Sequence, residues 1–429
     1  MPQKAVTPLE VSRRARAMPA SPIRKLMPLA EQAAKRGLRV YHLNIGQPDL
    51  ETPAPMRERV RRLSDKVLAY SPSAGTPEYL AFLLEYYRRL GISLSLNEVI
   101  ATTGGSEAIF FALVACANEG DAALVVEPFY TNYSAFATIA GVHLSPLTSR
   151  VEEGFHLPPR QTWERALTPR TRLVLLCNPN NPTGTVYTRE ELAMVGEFCR
   201  DHGLFWICDE VYREFVYDGR RSVSALSLEG LEDVVVVVDS LSKRYSACGL
   251  RLGCLVTRNR DVYQACLRMA QARLSPPGLA QVAALGALDL PPSYTTEVVA
   301  EYERRRNVLY RGLSEIPGVF LTRPEGAFYF VVRLPVQDSE DFAGWMLTDF
   351  QSEGGTVMVA PARGFYATPG VGSNEVRIAY VLKEDDLKVA VRILRAGLEA
   401  YARRSEVAAP TAGAEVSPEA PDFSTPAES

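Results

Sequence analysis

The sequence predicts an α/β protein: a large domain with a mostly parallel sheet flanked by helices, plus a smaller, discontinuous α/β domain. Three observations predict it. The run 234–238 is five consecutive valines, and 172–177, after its leading Arg172, and 204–208 are likewise apolar without the alternation of a half-exposed strand, so all three read as strands buried on both faces. Each run ends in turn-forming or ionisable residues, namely Asn178-Pro-Asn-Asn-Pro-Thr-Gly184, Asp209-Glu-Val-Tyr212 and Asp239-Ser-Leu-Ser-Lys243. Helix-like patterns separate such runs at spacings that suit βαβ units, and open sheets of that kind place ligands at the carboxyl ends of their strands. At 429 residues the chain exceeds one ordinary core, so two domains are expected.

In chain order, residues 1–20 form an amino-terminal arm. Its basic Arg13-Arg-Ala-Arg16 is short, follows Glu10 and is interrupted by Pro19 and Pro22, unlike a transit peptide. Residues 21–55 are assigned to the first part of the small domain and 56–305 to the large one. Within the latter, Val99-Ile100 leads through Thr102-Thr-Gly-Gly-Ser106 into a helix over 107–117. A strand, a glycine turn and a helix start together aim free N–H groups and a helix dipole at an anion. Farther on, Thr188-Arg-Glu-Glu191 is a capping box, and Leu192, Val195, Phe198 and Cys199 share one helical face before Gly203 ends the helix. The polar-rich stretch 293–316 reads as a helix bridging the domains, and 326–332 and 376–381 as strands of the second small-domain part, 306–404. Residues 405–429 are rich in Ala, Pro, Glu, Ser and Thr and lack Lys and Arg; they retain too little apolar surface to offset ordering entropy, which predicts a disordered acidic tail.

Bulk properties exclude several functions. Charged residues make up 23% and the formal net charge is -3, which gives no field suited to nucleic acid or an anionic membrane. The seven cysteines form no C-x-x-C pair and read as buried small hydrophobes. His42, His143, His156 and His202 lack metal-ligand spacing, so no metal is expected. No apolar run approaches the roughly 18 residues of a membrane span, and no signal-peptide h-region is present, so a soluble cytoplasmic protein is expected.

The chemistry gathers at the strand ends. Lys243 brings a primary amine to the end of the most β-branched run, with Arg251 eight positions later. The blocks NNPTG, DEVY, SLSK and that arginine, in this order and spacing, resemble the fold-type I pyridoxal-phosphate enzymes of the aspartate aminotransferase superfamily (class I/II aminotransferases). The resemblance runs from Asn44-Ile-Gly-Gln-Pro-Asp49 to Arg377-Ile-Ala-Tyr380. It implies that Lys243 carries the coenzyme pyridoxal 5'-phosphate, and that Gly105, Ser106, Ser240 and Arg251 hold its phosphate. Arginine suits a dianion because its planar fork can pair two oxygens. Tyr70 is implied to reach the phosphate of a neighbouring subunit, and the arm to lie across that subunit, which makes the protein a homodimer with shared sites. Asp209 would face the pyridine nitrogen, Asn181 and Tyr212 the ring's phenolic oxygen, and Tyr130 the ring face. Arg377 would clamp the substrate α-carboxylate, with the Gly46 backbone beside it. Phe328 and Tyr329 would line the pocket. Cis peptide bonds are expected at Glu127-Pro128 and Asn181-Pro182.

The implied reaction is transfer of an α-amino group from an L-amino acid to a 2-oxo acid, with 2-oxoglutarate as acceptor and aspartate as the favoured donor. A dicarboxylic donor needs a second cation, for which Arg24 and Lys25 are candidates. The alternatives are an aromatic or broad-specificity aminotransferase and a C–S or β-lyase on the same fold. A pyridoxal-phosphate-binding regulator is disfavoured, because a winged-helix domain would not fit ahead of Asn44.

Overall fold

A computed structural model describes residues 9–408. Its strands are β1 (Arg39–His42), β2 (Val99–Thr102), β3 (Ala122–Glu127), β4 (His143–Thr148), β5 (Thr171–Cys177), β6 (Phe205–Asp209), β7 (Val235–Ser240), β8 (Gly253–Thr257), β9 (Tyr329–Arg333), β10 (Gly355–Met358), β11 (Ala360–Pro361) and β12 (Glu375–Ala379). Seven of them form a central sheet in the order β2-β8-β7-β6-β5-β3-β4. Strands β4, β3, β5, β6 and β7 run parallel, whereas β8 is antiparallel to both its neighbours. The sheet is therefore mostly parallel, as its uninterrupted apolar runs predict.

Those runs are apolar throughout because both faces are covered. Leu173, Leu175, Ile207, Val236 and Val238 join one core with the helices Gly104–Cys116 and Arg260–Arg273. The intervening Val174, Leu176, Trp206, Val235 and Val237 join another, with the helices Pro77–Arg89 and Arg189–Asp201. Side chains of a strand alternate between faces, so each strand feeds two cores at once. The capping box forms as read: the Thr188 hydroxyl accepts from the Glu191 N–H at 3.2 Å, and the Glu191 carboxylate accepts from the Thr188 N–H at 2.8 Å.

Beside this sheet, β1 lies parallel to β10, and β12 lies between β11 and β9, antiparallel to both. The helix expected over 293–316 spans Tyr294–Ser314 and meets the helix Glu384–Ala408, where Gly312 leaves room for Val391. That last helix takes in residues 405–408, which corrects the start of the expected tail: helical hydrogen bonding carries past the change in composition. The rest of the tail, 409–429, and residues 1–8 of the arm lie outside the described residues. In the arm, Arg13–Arg16 is a short exposed helix, with Arg14 paired to Glu119 at 3.1 Å.

Two further expectations are corrected. Glu127-Pro128 is cis, but the second cis bond is Asn178-Pro179 rather than Asn181-Pro182. The loop Asn178-Pro-Asn-Asn-Pro-Thr-Gly184 carries two prolines, and Pro182 sits inside a turn closed by a Gly184 N–H to Asn180 carbonyl bond of 2.9 Å. Among the cysteines, Cys248 is half-buried, because it follows the strand end instead of lying within a packed element. No described helix is long and apolar enough to cross a membrane.

Candidate active site

The parallel register puts the three strand ends side by side, with Cys177 opposite Asp209 and Asp209 opposite Val238. From the end of β7 the Ser240 hydroxyl caps the short helix Leu241–Arg244, accepting from the Ser242 N–H at 3.2 Å. Lys243, in that turn, donates to the Gly46 carbonyl at 2.6 Å and lies 3.8 Å from the Cys248 sulfur. Burial pushes its amine below the usual lysine range; nearby Arg377 and Arg251 push the same way, and Cys248 opposes them. The amine therefore gives up its proton more readily than an ordinary lysine.

Gly46 is pressed from the other side by Tyr329. A Cβ at position 46 would fall 1.8 Å from the Tyr329 hydroxyl, so only glycine lets the backbone reach both the phenol and the lysine. The Tyr329 hydroxyl also meets that of Tyr212 at 2.8 Å. Arg377 is 2% exposed. Its guanidinium lies between the rings of Tyr329 and Phe365, 4.5 and 5.0 Å from their centroids. It donates to Asn181 Oδ1 at 3.1 Å and to the Asn44 carbonyl at 2.6 Å, while its Nε is buried with no partner. A buried guanidinium with a free donor and no carboxylate beside it is ready for an anion.

Asp209 is buried at the end of β6, where the Tyr133 hydroxyl donates to its carboxylate at 2.7 Å. Burial raises its carboxyl to about 6; the bonds from Tyr133 and the Val211 N–H pull it back down, and the charges of Asp239 and Glu210 add to the rise. Tyr130 packs edge-on against Tyr133, with centroids 5.5 Å apart.

At the sheet's other side, Gly105 and Ser106 lie in the first turn of the helix Gly104–Cys116, whose N-cap Thr103 makes no side-chain capping bond. Arg251, held at φ 51°, arches over this turn: a Cβ on Gly104 would lie 2.6 Å from its Nη2. A Cβ on Gly105 would lie 3.7 Å from that of Ser240, so the helix start, Ser240 and the guanidinium gather at one place. Two expected residues stand apart. Tyr70 is 80% exposed, on a segment where Val67 and Leu68 are exposed as well. Arg24 is exposed and has no ion-pair partner among the described residues, whereas Lys25 pairs with Glu340, which removes it as a free cation.

Three comparisons bear on this arrangement. Residues 39–394 match the family model described as aminotransferase class I and II. The chain belongs to the class I and II aminotransferases. A curated relative from Thermus thermophilus, an aspartate/prephenate aminotransferase, is 31% identical over 388 residues, covering 89% of this chain and 97% of that one. The probable aspartate/prephenate aminotransferase of Aquifex aeolicus is 30% identical over 384 residues, 88% and 96% of the two chains. A solved structure of a Thermus thermophilus aspartate aminotransferase double mutant superposes with a TM-score of 0.83 at 29% identity, covering 91% of this chain and all of that one. The substrates of this aminotransferase are thus amino acids and 2-oxo acids.

Sequence reasoning missed the layer beneath the aminotransferase site. Arg213 pairs with Glu210 at 2.7 Å and Asp239 at 3.2 Å, and Arg244 pairs with Asp239 and Glu214 at 2.7 Å each. Tyr86 lies under Arg244, its ring centroid 3.9 Å from the guanidinium carbon. Burial works against the Asp239 carboxylate, but the two arginines outweigh it and hold its pKa below the usual range. Four of the five charged members adjoin a site residue: Glu210 after Asp209, Arg213 after Tyr212, Asp239 before Ser240, Arg244 after Lys243; Glu214 follows Arg213. That adjacency was the available signal. Tyr133, three residues after Tyr130 and hence near it on a helix, was the other.

Proposed function

We propose that this aminotransferase carries pyridoxal 5'-phosphate on Lys243 and transfers the α-amino group of aspartate to 2-oxoglutarate. The observation that carries the reading is the lysine itself: a half-buried amine without a carboxylate partner, between an anion cradle on one side and a carboxylate-free arginine on the other. Residues of the cradle, Gly105, Ser106, Ser240 and Arg251, suit the phosphate, and Tyr130 suits the ring face. The coenzyme, when bound, supplies an electron sink for the pair left on the substrate Cα.

This chain's own groups do the rest. Asp209, whose carboxylate accepts from the Tyr133 hydroxyl, would hold a proton on the ring nitrogen. Asn181 and Tyr212 orient the ring's oxygen. Arg377 binds the α-carboxylate through its unpaired donor and fixes which Cα bond is broken. Lys243, freed when the substrate amine takes its place, would take the proton from Cα and deliver it to the coenzyme carbon that the lysine had held. Arg24, unpaired and next to Ile23, whose carbonyl Asn44 holds at 3.1 Å, is the cation for the side-chain carboxylate of a dicarboxylic donor. The names of the relatives favour aspartate; one from Thermococcus litoralis, 30% identical, is an aromatic-amino-acid aminotransferase, so aromatic donors belong in the same test.

The exposed Tyr70 segment supports a homodimer in which each copy completes the other's phosphate site, with the arm across the neighbour. The division into a small domain of 21–55 and 306–404 around a large domain of 56–305 accords with the pairing of β1 and β10. The test is glutamate formation from aspartate and 2-oxoglutarate. Lys243→Ala should lower turnover by about four orders of magnitude or more; wild-type turnover in that variant removes Lys243 from the reaction. Release of pyruvate and ammonia without an acceptor would identify a lyase instead.

A further inference from the structure

The loop between β11 and β12 leaves the small sheets, crosses to the end of β3 and is tied there. The Glu127 carboxylate, completely buried, accepts from the backbone N–H groups of Ala367 and Thr368 at 2.7 and 3.1 Å through one oxygen and from the Thr148 hydroxyl at 2.7 Å through the other. Two residues on, the Phe129 N–H donates to the Phe365 carbonyl at 2.9 Å. On the loop's other side, the Tyr366 hydroxyl donates to Glu375 at 2.6 Å, two residues before Arg377. Phe365, held between these ties, lays its ring against the Arg377 guanidinium. The same loop backs the segment that bears Arg24: a Cβ on Gly364 would lie 2.6 Å from Pro22, and Ile23 packs with Phe365.

We infer that Glu127 is a positioning residue for substrate carboxylate binding: its carboxylate latches the 362–368 loop to the large sheet and so holds Phe365 against Arg377. This rests on the reading of Arg377 as the carboxylate clamp. A buried carboxylate that accepts two backbone N–H groups makes charge-assisted bonds, roughly twice as strong as neutral ones. A guanidinium already fixed in its bound orientation loses less freedom when the anion arrives. Removing the latch therefore weakens carboxylate binding while leaving the phosphate cradle of Gly105, Ser106, Ser240 and Arg251, built from other loops, as it was. Glu127→Gln keeps an acceptor for the two N–H groups, and the Thr148 hydroxyl can turn to accept from its amide; shape is retained and charge is lost.

The test uses the full-length enzyme loaded with coenzyme. Succinate, a dicarboxylate without a reacting group, is titrated by calorimetry, and KM, kcat and coenzyme affinity are measured alongside. For Glu127→Ala, succinate affinity should fall by about tenfold and the KM for both substrates should rise with it, while kcat and coenzyme affinity stay within about twofold. Glu127→Gln should fall between Glu127→Ala and wild type, near threefold, and decides the matter alone if Glu127→Ala does not fold. Unchanged succinate affinity in the Glu127 variants, with Arg377→Ala abolishing it, overturns the latch and leaves the clamp standing. Equal losses of succinate and coenzyme affinity also overturn it, since that is general damage. Undiminished succinate binding in Arg377→Ala overturns the clamp and the latch together.

Discussion

The ends of β6 and β7 and the rim at residues 67–75 belong to one site, yet they are finished to very different degrees. Beneath Asp209 and Lys243, Arg213, Asp239, Glu210 and Arg244 are all at most 5% exposed and are paired with one another. At the rim, Tyr70, Val67 and Leu68 are 80%, 76% and 67% exposed. The contrast teaches that the groups assigned to proton transfer are set within a single chain, whereas the rim is left open, as the proposed second copy would require.

Breaking the interior should have the largest effect. Arg213→Ala strands Glu210 and removes one of the two cations on Asp239, so it should lower stability by about 3–5 kcal/mol, read as a shift of the urea midpoint. A midpoint within error of wild type would mean that the buried pairs do not set the strand ends.

A smaller effect, with a definite pH sign, is expected at Asp209. Its carboxyl is raised in the fold to about 6, above the unfolded value, so its contribution to stability is fully present below about pH 4 and is lost as pH rises through 6. Asp209→Asn should therefore stabilise the coenzyme-free protein above pH 7 by about 2–3 kcal/mol, a difference that vanishes toward pH 4. Urea titrations at three pH values decide it, and a pH-independent difference would refute the raised carboxyl.

The smallest change belongs to the rim. Tyr70→Phe should leave the urea midpoint where it is, since that side chain is exposed, and weaken coenzyme binding by about 1 kcal/mol, the worth of one hydrogen bond. Measured by equilibrium dialysis, an undiminished affinity would sever the rim from the site and with it the argument for a second copy.

Much of this was legible in the sequence because the information is local. A β-branched run followed by turn residues specifies both a buried strand and the group at its end, so β5, β6 and β7 could be placed with their terminal residues. The capping box at Thr188 and the glycine turn before Ser106 are local in the same way. What was not legible depends on partners far along the chain. Lys25 and Arg24 look equivalent until Glu340 arrives to pair with one of them. Glu127 reads as a residue before a proline until the 362–368 loop meets it. Pro179 and Pro182, each preceded by an asparagine in the loop 178–184, carry the same local signal, which is why the cis bond was expected three residues too late. The final helix outruns its composition for a related reason: helical bonding continues from the packed residues before it.

Arg377, the proposed carboxylate clamp, is joined to Asn44, 333 positions away, through one short hydrogen bond, and β1 pairs with β10. During synthesis the central sheet can therefore assemble while the ribosome still holds the chain, but the substrate pocket cannot close until the last strands emerge and capture a segment made long before. A nascent polypeptide that already holds Asp209 beside Lys243 still lacks Arg377 against Asn44, so the proposed grip on an amino acid waits for strands made late.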